Sequence, residues 1–118
     1  MRFSALLFVL AGILRFAAWF NREFRKFIRP VRVRILIKTA DNRRGRLFVF
    51  DRGKVSTRRG AHADHDAALV FSDPAAGFSV LTDKRPSASF DAAADGKLRV
   101  EGMSIYAQWF EQAMNRVI

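Results

Sequence analysis

The sequence predicts an α+β domain, in which helices cover one face of a five-stranded, mostly antiparallel sheet and an extended apolar helix precedes it. Turn residues separate five short apolar stretches, as in strands. A long apolar stretch precedes the first of them, and an aromatic-rich stretch with apolar residues three and four apart follows the last. The resulting order of helix, three strands, strand, short helix, strand and helix is typical of the α+β class.

Length and composition limit the protein to one domain with a single modest core. Half of its 118 residues are hydrophobic, and twelve are Phe. Cys is absent, which excludes disulfides and thiolate metal sites. Residues 1–60 hold sixteen Lys or Arg against Glu23, Asp41 and Asp51. We therefore expect this half to attract polyanions, either anionic lipid head groups or nucleic-acid phosphates.

Residues 1–19 form the predicted apolar N-terminal helical segment, and residues 20–118 the remaining domain. The segment is uncharged from Phe3 to Leu14, and Arg15 then interrupts it. Three interpretations stay open. The helix packs on the sheet, with its first turns in a dimer contact; it docks on a membrane interface; or it spans the membrane, for which its length lies at the short limit.

A helical wheel drawn from residue 6 to residue 29 separates apolar from basic positions. Pro30 ends the predicted helix, because proline cannot donate the intrahelical hydrogen bond. The apolar face holds Leu6, Leu10, Ile13, Ala17, Phe20, Phe24 and Phe27. The opposite wedge, which we expect to contact a membrane or another anion, holds Arg15, Arg22, Arg25, Lys26 and Arg29.

Four stretches after Pro30 have the composition of strands. The first alternates apolar with mainly basic side chains, which indicates a strand with one solvated face. Glycine-containing turns separate the first three stretches and predict two successive hairpins. The four predicted strands are residues 31–39, 46–50, 54–58 and 67–71.

A short helix is predicted after the fourth strand. Asp73 is placed to cap it, and Pro74 suits its first position. This helix presents Phe78 and Leu81. Residues 84–94 contain Pro and several weak formers of regular structure, so we expect an irregular or short helical connection there.

The last third of the chain ends in a strand and an amphipathic helix. Residues 98–101 alternate as a half-buried strand, Gly102 permits a sharp turn, and Ser104 suits a helix start. The apolar face of this helix is large and aromatic for its length. It holds Ile105, Tyr106, Trp109, Phe110, Ala113, Met114 and Val117.

Motifs for catalysis or metal binding are weak. His62, Asp64, His65 and Asp66 lie close together, but their spacing matches no standard zinc or calcium site and suits a solvated turn. Neither His has a serine at a nucleophile-elbow spacing, and no carboxylate pair stands in an apolar frame. We therefore expect a protein that is not an enzyme and uses no metal or cofactor.

The segment Gly-Lys-Leu-Arg-Val-Glu-Gly at residues 96–102, with the apolar helix after it, resembles the end of sterol carrier protein 2 (SCP2)-type lipid-binding domains. The upstream basic hairpin, the stretch from Asp66 to Pro74 and Phe90 follow the same order, so the resemblance covers residues 20–118. It implies a tunnel between the sheet and the C-terminal helix that holds an apolar lipid. The residues implied in binding the ligand are Phe78, Leu81, Phe90, Tyr106, Trp109, Phe110 and Met114.

Two departures from that family affect the expected function. The first twenty residues are more apolar than a soluble carrier needs, and the chain ends Arg-Val-Ile, unlike a peroxisomal Ser-Lys-Leu address. Both departures fit better with a bacterial lipid-binding accessory protein that works at a membrane and resembles the SCP2-like factors that hold isoprenoid quinone intermediates. We expect a cytoplasmic lipid-binding protein, held at the inner face of a membrane and able to form a homodimer. The alternative is a basic module that binds nucleic acid or protein without a lipid pocket; no sequence-specific nucleic acid is expected.

Overall fold

The structure is a computed structural model that describes residues 2–61, 64–82 and 88–115. Side chains are described for residues 5–61, 64–81, 91–103 and 105–114. The secondary structure confirms the predicted α+β class. The elements are α1 (Arg2–Phe20), α2 (Arg22–Ile28), β1 (Arg32–Thr39), β2 (Gly45–Asp51), β3 (Lys54–Arg59), β4 (Ala67–Phe71), α3 (Pro74–Thr82), α4 (Ala88–Ala94), β5 (Leu98–Gly102) and α5 (Ser104–Asn115).

The five strands form one mixed sheet in the order β3-β2-β1-β4-β5. β1 pairs with β4 in parallel, while the other three neighbouring pairs are antiparallel. The alternation predicted for β1 holds in its first half, where Val33 and Ile35 are buried while Arg32 and Arg34 are exposed. It fails at Leu36, which lies on the face predicted to be solvated but is fully buried in the smaller apolar cluster there. Three of the four strand pairs are antiparallel, so the sheet is mostly antiparallel, with its parallel pair β1–β4 inside it.

The main hydrophobic core lies on the face of the sheet that the helices cover. Leu14 from α1, Phe24 from α2 and Phe110 from α5 meet Phe48 and Phe50 of β2 there, and all five are fully buried. The other face carries charged side chains around a smaller cluster of apolar residues. That cluster consists of Leu36, Leu47, Ala68 and Val70, with Val49 beside it.

The predicted continuous helix up to Pro30 is wrong, because the chain bends by 100° at Asn21. The side-chain oxygen of Asn21 accepts a hydrogen bond from the backbone N–H of Phe24 at 3.1 Å, and Asn21 has extended backbone angles. Asn competes with the helical backbone through such bonds and favours caps over helix interiors. α2 therefore starts as a new helix.

The predicted apolar face of the N-terminal helix is also partly wrong. Ile13 and Phe20 are exposed, at 39% and 69%, whereas Leu7, which is absent from the predicted apolar face, is only 2% exposed. α1 is apolar around most of its circumference, so polarity alone does not determine which face packs on the sheet. The face that packs holds Leu7, Leu10, Ala11, Leu14, Ala17 and Ala18.

α1 corresponds to the predicted segment 1–19, and its buried face belongs to the same core as the sheet. In the described ranges, no single helix is long and apolar enough to cross a membrane. Only α1 and α2 together, as a bent pair, meet that test of length and composition. The division of the chain at residue 19 stays a prediction.

Gly102 sets the direction of α5. Its φ is +79°, and a Cβ at this position would lie 2.5 Å from the backbone oxygen of Asp66. The same oxygen accepts a hydrogen bond from the N–H of Met103 at 3.1 Å. Only glycine fits this close approach of two backbones. The chain can therefore leave β5 and turn directly into α5.

Candidate functional site

The face of α5 that the sequence assigns to a ligand lies against the core. Phe110 is fully buried, and Tyr106, Trp109 and Met114 are half-buried and pack around it. The helix places these residues three and four positions apart, so they share one face. α5 therefore presents a continuous apolar surface to the sheet and to α2.

Aromatic rings join α5 to α2 and β2. Trp109 stacks on Phe27 with ring centroids 5.5 Å apart and ring planes 12° apart, and it meets Phe50 edge to face at 4.9 Å. Phe110 contacts Phe48 and Phe50, each with centroids 5.8 Å apart. These rings occupy much of the space between α5 and β2.

The other residues assigned to the ligand lie on α3 and α4. Phe78 and Leu81 are half-buried on α3, and Leu81 packs against the main core. Phe90 belongs to α4, and its side chain lies outside the described side chains. The assignment of all seven residues to a ligand-binding wall stays a prediction.

The outward face of α1 is the largest exposed apolar feature of the described residues. Phe16 and Phe20 are in ring contact at 4.5 Å, and Trp19 meets Phe20 at 6.4 Å. The Arg46 guanidinium lies 5.7 Å from the Phe8 ring at the other end of the helix. We call this surface the exposed α1 face. It consists of Phe8 (68% exposed), Val9 (53%), Ile13 (39%), Phe16 (65%), Trp19 (77%) and Phe20 (69%).

A groove of about 800 Å³ opens on the exposed α1 face, where α1 bends into α2. Gly12 lines the groove and has no side chain to fill it; a Cβ at that position would have no neighbour within 4 Å. The volume lies in the range of pockets for small molecules. An unbroken helix, as the sequence predicts, would not form this groove, because the groove depends on the bend at Asn21. We call it the α1–α2 groove; it is lined by Val9, Gly12, Ile13, Phe16, Ala17, Phe20, Asn21, Arg22 and Glu23.

A second cleft, of about 490 Å³, lies between the two N-terminal helices and the turn that joins β2 to β3. It brings together three of the five basic residues that the sequence assigned to anion contact, and adds Arg52 from the turn and Lys54 from the start of β3. Arg22 lines the α1–α2 groove instead, and Lys26 is exposed elsewhere. We call this cleft the basic cleft. Its lining residues are Arg15, Ala18, Trp19, Arg25, Arg29, Arg52, Gly53, Lys54 and Val55.

The remaining polar cluster of the sequence analysis has a structural role. Asp66 accepts a hydrogen bond from the backbone N–H of Arg34 at 2.7 Å and forms a 3.5 Å salt bridge with its side chain. His62 lies outside the described residues. Within the described part of the chain, no group of three or more His, Cys, Asp or Glu residues is placed to hold a metal ion.

Comparison with known proteins shows the fold. No family model and no curated protein sequence matches the chain. Among solved structures, the chain is similar to a UbiJ-SCP2 ubiquinone synthesis protein, with a TM-score of 0.69 and 16% identity over 96% of this chain and 92% of that one. It is also similar to sterol carrier protein 2 from Yarrowia lipolytica, with a TM-score of 0.62 and 15% identity over 92% and 89% of the two chains.

An enzyme also contains a part of this shape. The sec-alkylsulfatase Pisa1 from Pseudomonas sp. matches with a TM-score of 0.56 and 10% identity, over 79% of this chain but only 14% of that one. The likeness therefore concerns a small part of that enzyme. Two of these comparisons span nearly the whole chain and agree on the architecture. This protein has the SCP2-like fold.

Proposed function

We propose that the protein binds an apolar lipid without catalysing its conversion, and that it does so at the cytoplasmic face of a membrane. The SCP2-like fold supports the first part, because its neighbours include a sterol carrier protein and a ubiquinone synthesis protein. The lipid classes that fit are fatty acyl, sterol-like and isoprenoid molecules. The protein acts as a carrier or accessory factor that holds such a lipid.

The observation that carries the proposal is the exposed α1 face. One side of α1 is buried in the core, yet the opposite side also consists of large apolar side chains. A contiguous exposed apolar surface marks an interaction site with a protein, a membrane or a ligand. Arg15 and Arg22 lie beside this face and suit an anionic bilayer, which adds electrostatic attraction to apolar burial.

The α1–α2 groove supports a lipid-binding role for the same surface. The groove opens on the exposed α1 face, so a lipid can pass from the bilayer into it without crossing water. Val9, Ile13 and Phe16 supply apolar walls, while Asn21 and Glu23 supply polar groups at one end. An acyl or isoprenoid chain with a small polar end matches this lining. The apolar face of α5 is the second candidate for the ligand wall.

The proposed side of the membrane follows from charge. Basic residues concentrate directly after the apolar helix, from Arg22 through Arg34. A docked apolar helix flanked by Lys and Arg favours an anionic leaflet, because the basic residues add electrostatic attraction to apolar burial. The cytoplasmic leaflet also carries the anionic lipids that attract such a surface.

Flotation with lipid vesicles tests the membrane role. We expect the full-length protein to float with phosphatidylcholine vesicles that contain phosphatidylglycerol, and to float less at high salt. The double variant Phe16→Ser/Trp19→Ser should lose flotation, because both side chains are strongly exposed on α1. The control Met103→Ser/Ile105→Ser removes two exposed apolar side chains near the start of α5 and should keep it.

Two outcomes would contradict this role. The wild-type protein could stay with the soluble fraction at every salt concentration. Alternatively, it could form a dimer that ignores vesicles and dissociates in Phe16→Ser/Trp19→Ser, which would assign the exposed α1 face to a second copy of the chain.

Uptake of a fluorescent fatty acyl probe tests the groove. Gly12→Trp places a large ring where a Cβ has no neighbour, so it should fill the groove without disturbing the core. We expect it to abolish uptake and leave the circular dichroism spectrum unchanged. Met114→Trp should instead block uptake if the ligand lies against α5. A wild-type protein that takes up no probe contradicts lipid binding at either place.

A further inference from the structure

Five cationic side chains converge on the basic cleft from separate parts of the chain. Arg15 lies on α1, Arg25 on α2 and Arg29 directly after α2. Arg52 lies in the β2–β3 turn, and Lys54 is the first residue of β3. No Asp or Glu is found among the described residues that line the cleft. In the ranges that the structure describes, none of the five forms a salt bridge with a carboxylate.

The five cations line one concave surface, which attracts anions more strongly than the same charges spread over a flat surface. Like charges repel in proportion to their proximity, and water and salt screen them less in a concave surface than on a flat one. Four of the five groups are guanidinium groups, whose planar donor pairs match two oxygens of a phosphate. The cleft is therefore suited to a compact multivalent oxyanion.

The β2–β3 turn, which carries Arg52 and leads into Lys54, is held in place. The N–H of Arg52 donates a hydrogen bond to the backbone oxygen of Val31 at 3.0 Å. Arg52 and Gly53 have positive φ values of 51° and 93°. A Cβ on Gly53 would lie 3.8 Å from Cγ of Arg25. The turn thus lies against α2, so both cations start from a fixed backbone.

Trp19 joins the basic cleft to the exposed α1 face, since its side chain belongs to both. Tryptophan favours the level of the lipid head groups at a membrane surface. When α1 docks on a bilayer, Trp19 therefore sets the basic cleft at head-group level. Docking by itself needs only non-specific electrostatic attraction to the bilayer. The basic cleft additionally offers hydrogen-bond donors from three parts of the chain, which can surround one head group.

We propose that the basic cleft binds the phosphate of a membrane lipid and favours a phosphomonoester head group over a phosphodiester of equal total charge. This inference rests on the proposed membrane docking. A phosphomonoester exposes three oxygens and close to two negative charges at neutral pH, so it can accept from more of the five cations. A phosphodiester exposes two oxygens and one charge.

The test compares phosphatidylcholine vesicles that contain phosphatidic acid with vesicles that contain phosphatidylserine, matched in surface potential. We expect the wild-type protein to bind the phosphatidic acid vesicles roughly tenfold more tightly. Arg52→Asn/Lys54→Gln should remove this preference, and Asn tolerates the positive φ at position 52. Arg32→Gln/Arg58→Gln removes the same charge from exposed positions outside the cleft and should keep the preference.

Equal affinity of the wild-type protein for both vesicle types would overturn the inference, because diffuse attraction would then suffice. A second arm uses dihexanoyl phosphatidic acid as a soluble probe and follows the NMR signal of the Trp19 indole N–H. A shift in wild type but not in Arg52→Asn/Lys54→Gln supports the cleft even if docking fails. An equal shift with inorganic phosphate, or tight binding of single-stranded RNA at physiological salt, overturns the lipid assignment.

Discussion

The side-chain oxygen of Asn21 accepts a hydrogen bond from the backbone N–H of Phe24 at 3.1 Å, at the point where the chain bends by 100° between α1 and α2. This contact begins α2 and so creates the wall of the α1–α2 groove. Asn21→Ala should destabilise the protein by about 1 kcal/mol and reduce probe uptake, because it removes the cap. Urea unfolding measures the first effect. Asn21→Ser keeps a capping oxygen and should retain both properties; equal loss in both variants would contradict the role of the cap.

The stacked pair Trp109–Phe27 should couple α5 to α2 energetically. Aromatic pairs contribute about 0.5–1.5 kcal/mol beyond the area that they bury. A double-mutant cycle with Phe27→Leu and Trp109→Leu should therefore give a coupling energy of about 1 kcal/mol from urea unfolding. Strictly additive losses would show that the two rings do not stabilise each other.

Gly102→Ala should destabilise the protein more than Gly96→Ala. Both glycines have similar φ values, +79° and +75°, so both substitutions strain the backbone by about 1–3 kcal/mol. Only at Gly102 would the added Cβ also meet Asp66, whereas at Gly96 it would meet nothing within 4 Å. Thermal unfolding of the two variants compares them. Equal losses would contradict the close approach between β5 and the start of β4.

Asp41, in the turn after β1, should make the free energy of unfolding depend on pH in the acidic range. Asp41 accepts hydrogen bonds from the Thr39 hydroxyl at 2.6 Å and from the Arg43 N–H at 3.0 Å, and these bonds hold the pKa of Asp41 below its usual value. A lowered folded pKa gives stability that is present above the unfolded pKa, near 4, and is lost as pH falls through the folded value. Asp41→Asn should therefore flatten the stability profile below about pH 4. A profile identical to wild type would contradict this.

Apolar stretches bounded by turn residues predicted the strands closely, both in β1, whose first half alternates, and in β4, which is buried at every position. The predicted strand 67–71 and β4 have the same bounds, and the predicted strand 31–39 differs from β1 by one residue. No comparable pattern in the sequence indicates which face of the N-terminal helix is buried. Leu7 and Ile13 are equally apolar, so only packing on the sheet determines that Leu7 is buried and Ile13 exposed.

The basic cleft was only partly predictable for a different reason. Arg25 and Arg29 lie four residues apart, so local spacing alone places them side by side. Arg15 lies on α1, before the bend at Asn21, so the wheel of a continuous helix does not explain its place in the cleft. Arg52 and Lys54 join them because the β2–β3 turn meets α2 across the fold, a contact that depends on sheet order and not on local sequence. The spacing of residues along the chain does not predict such a contact between distant segments.

Native mass spectrometry of full-length protein purified from cells without detergent tests the central claim, that the protein holds an apolar lipid. We expect a one-to-one adduct with the mass of a lipid, lost from Gly12→Trp and retained in the control Ile105→Trp, which places the same ring at an exposed position outside the groove lining. Retention in Gly12→Trp with loss in Met114→Trp would move the ligand to α5. A bare protein mass, together with no uptake of added fatty acyl or isoprenoid probes, would contradict lipid binding itself.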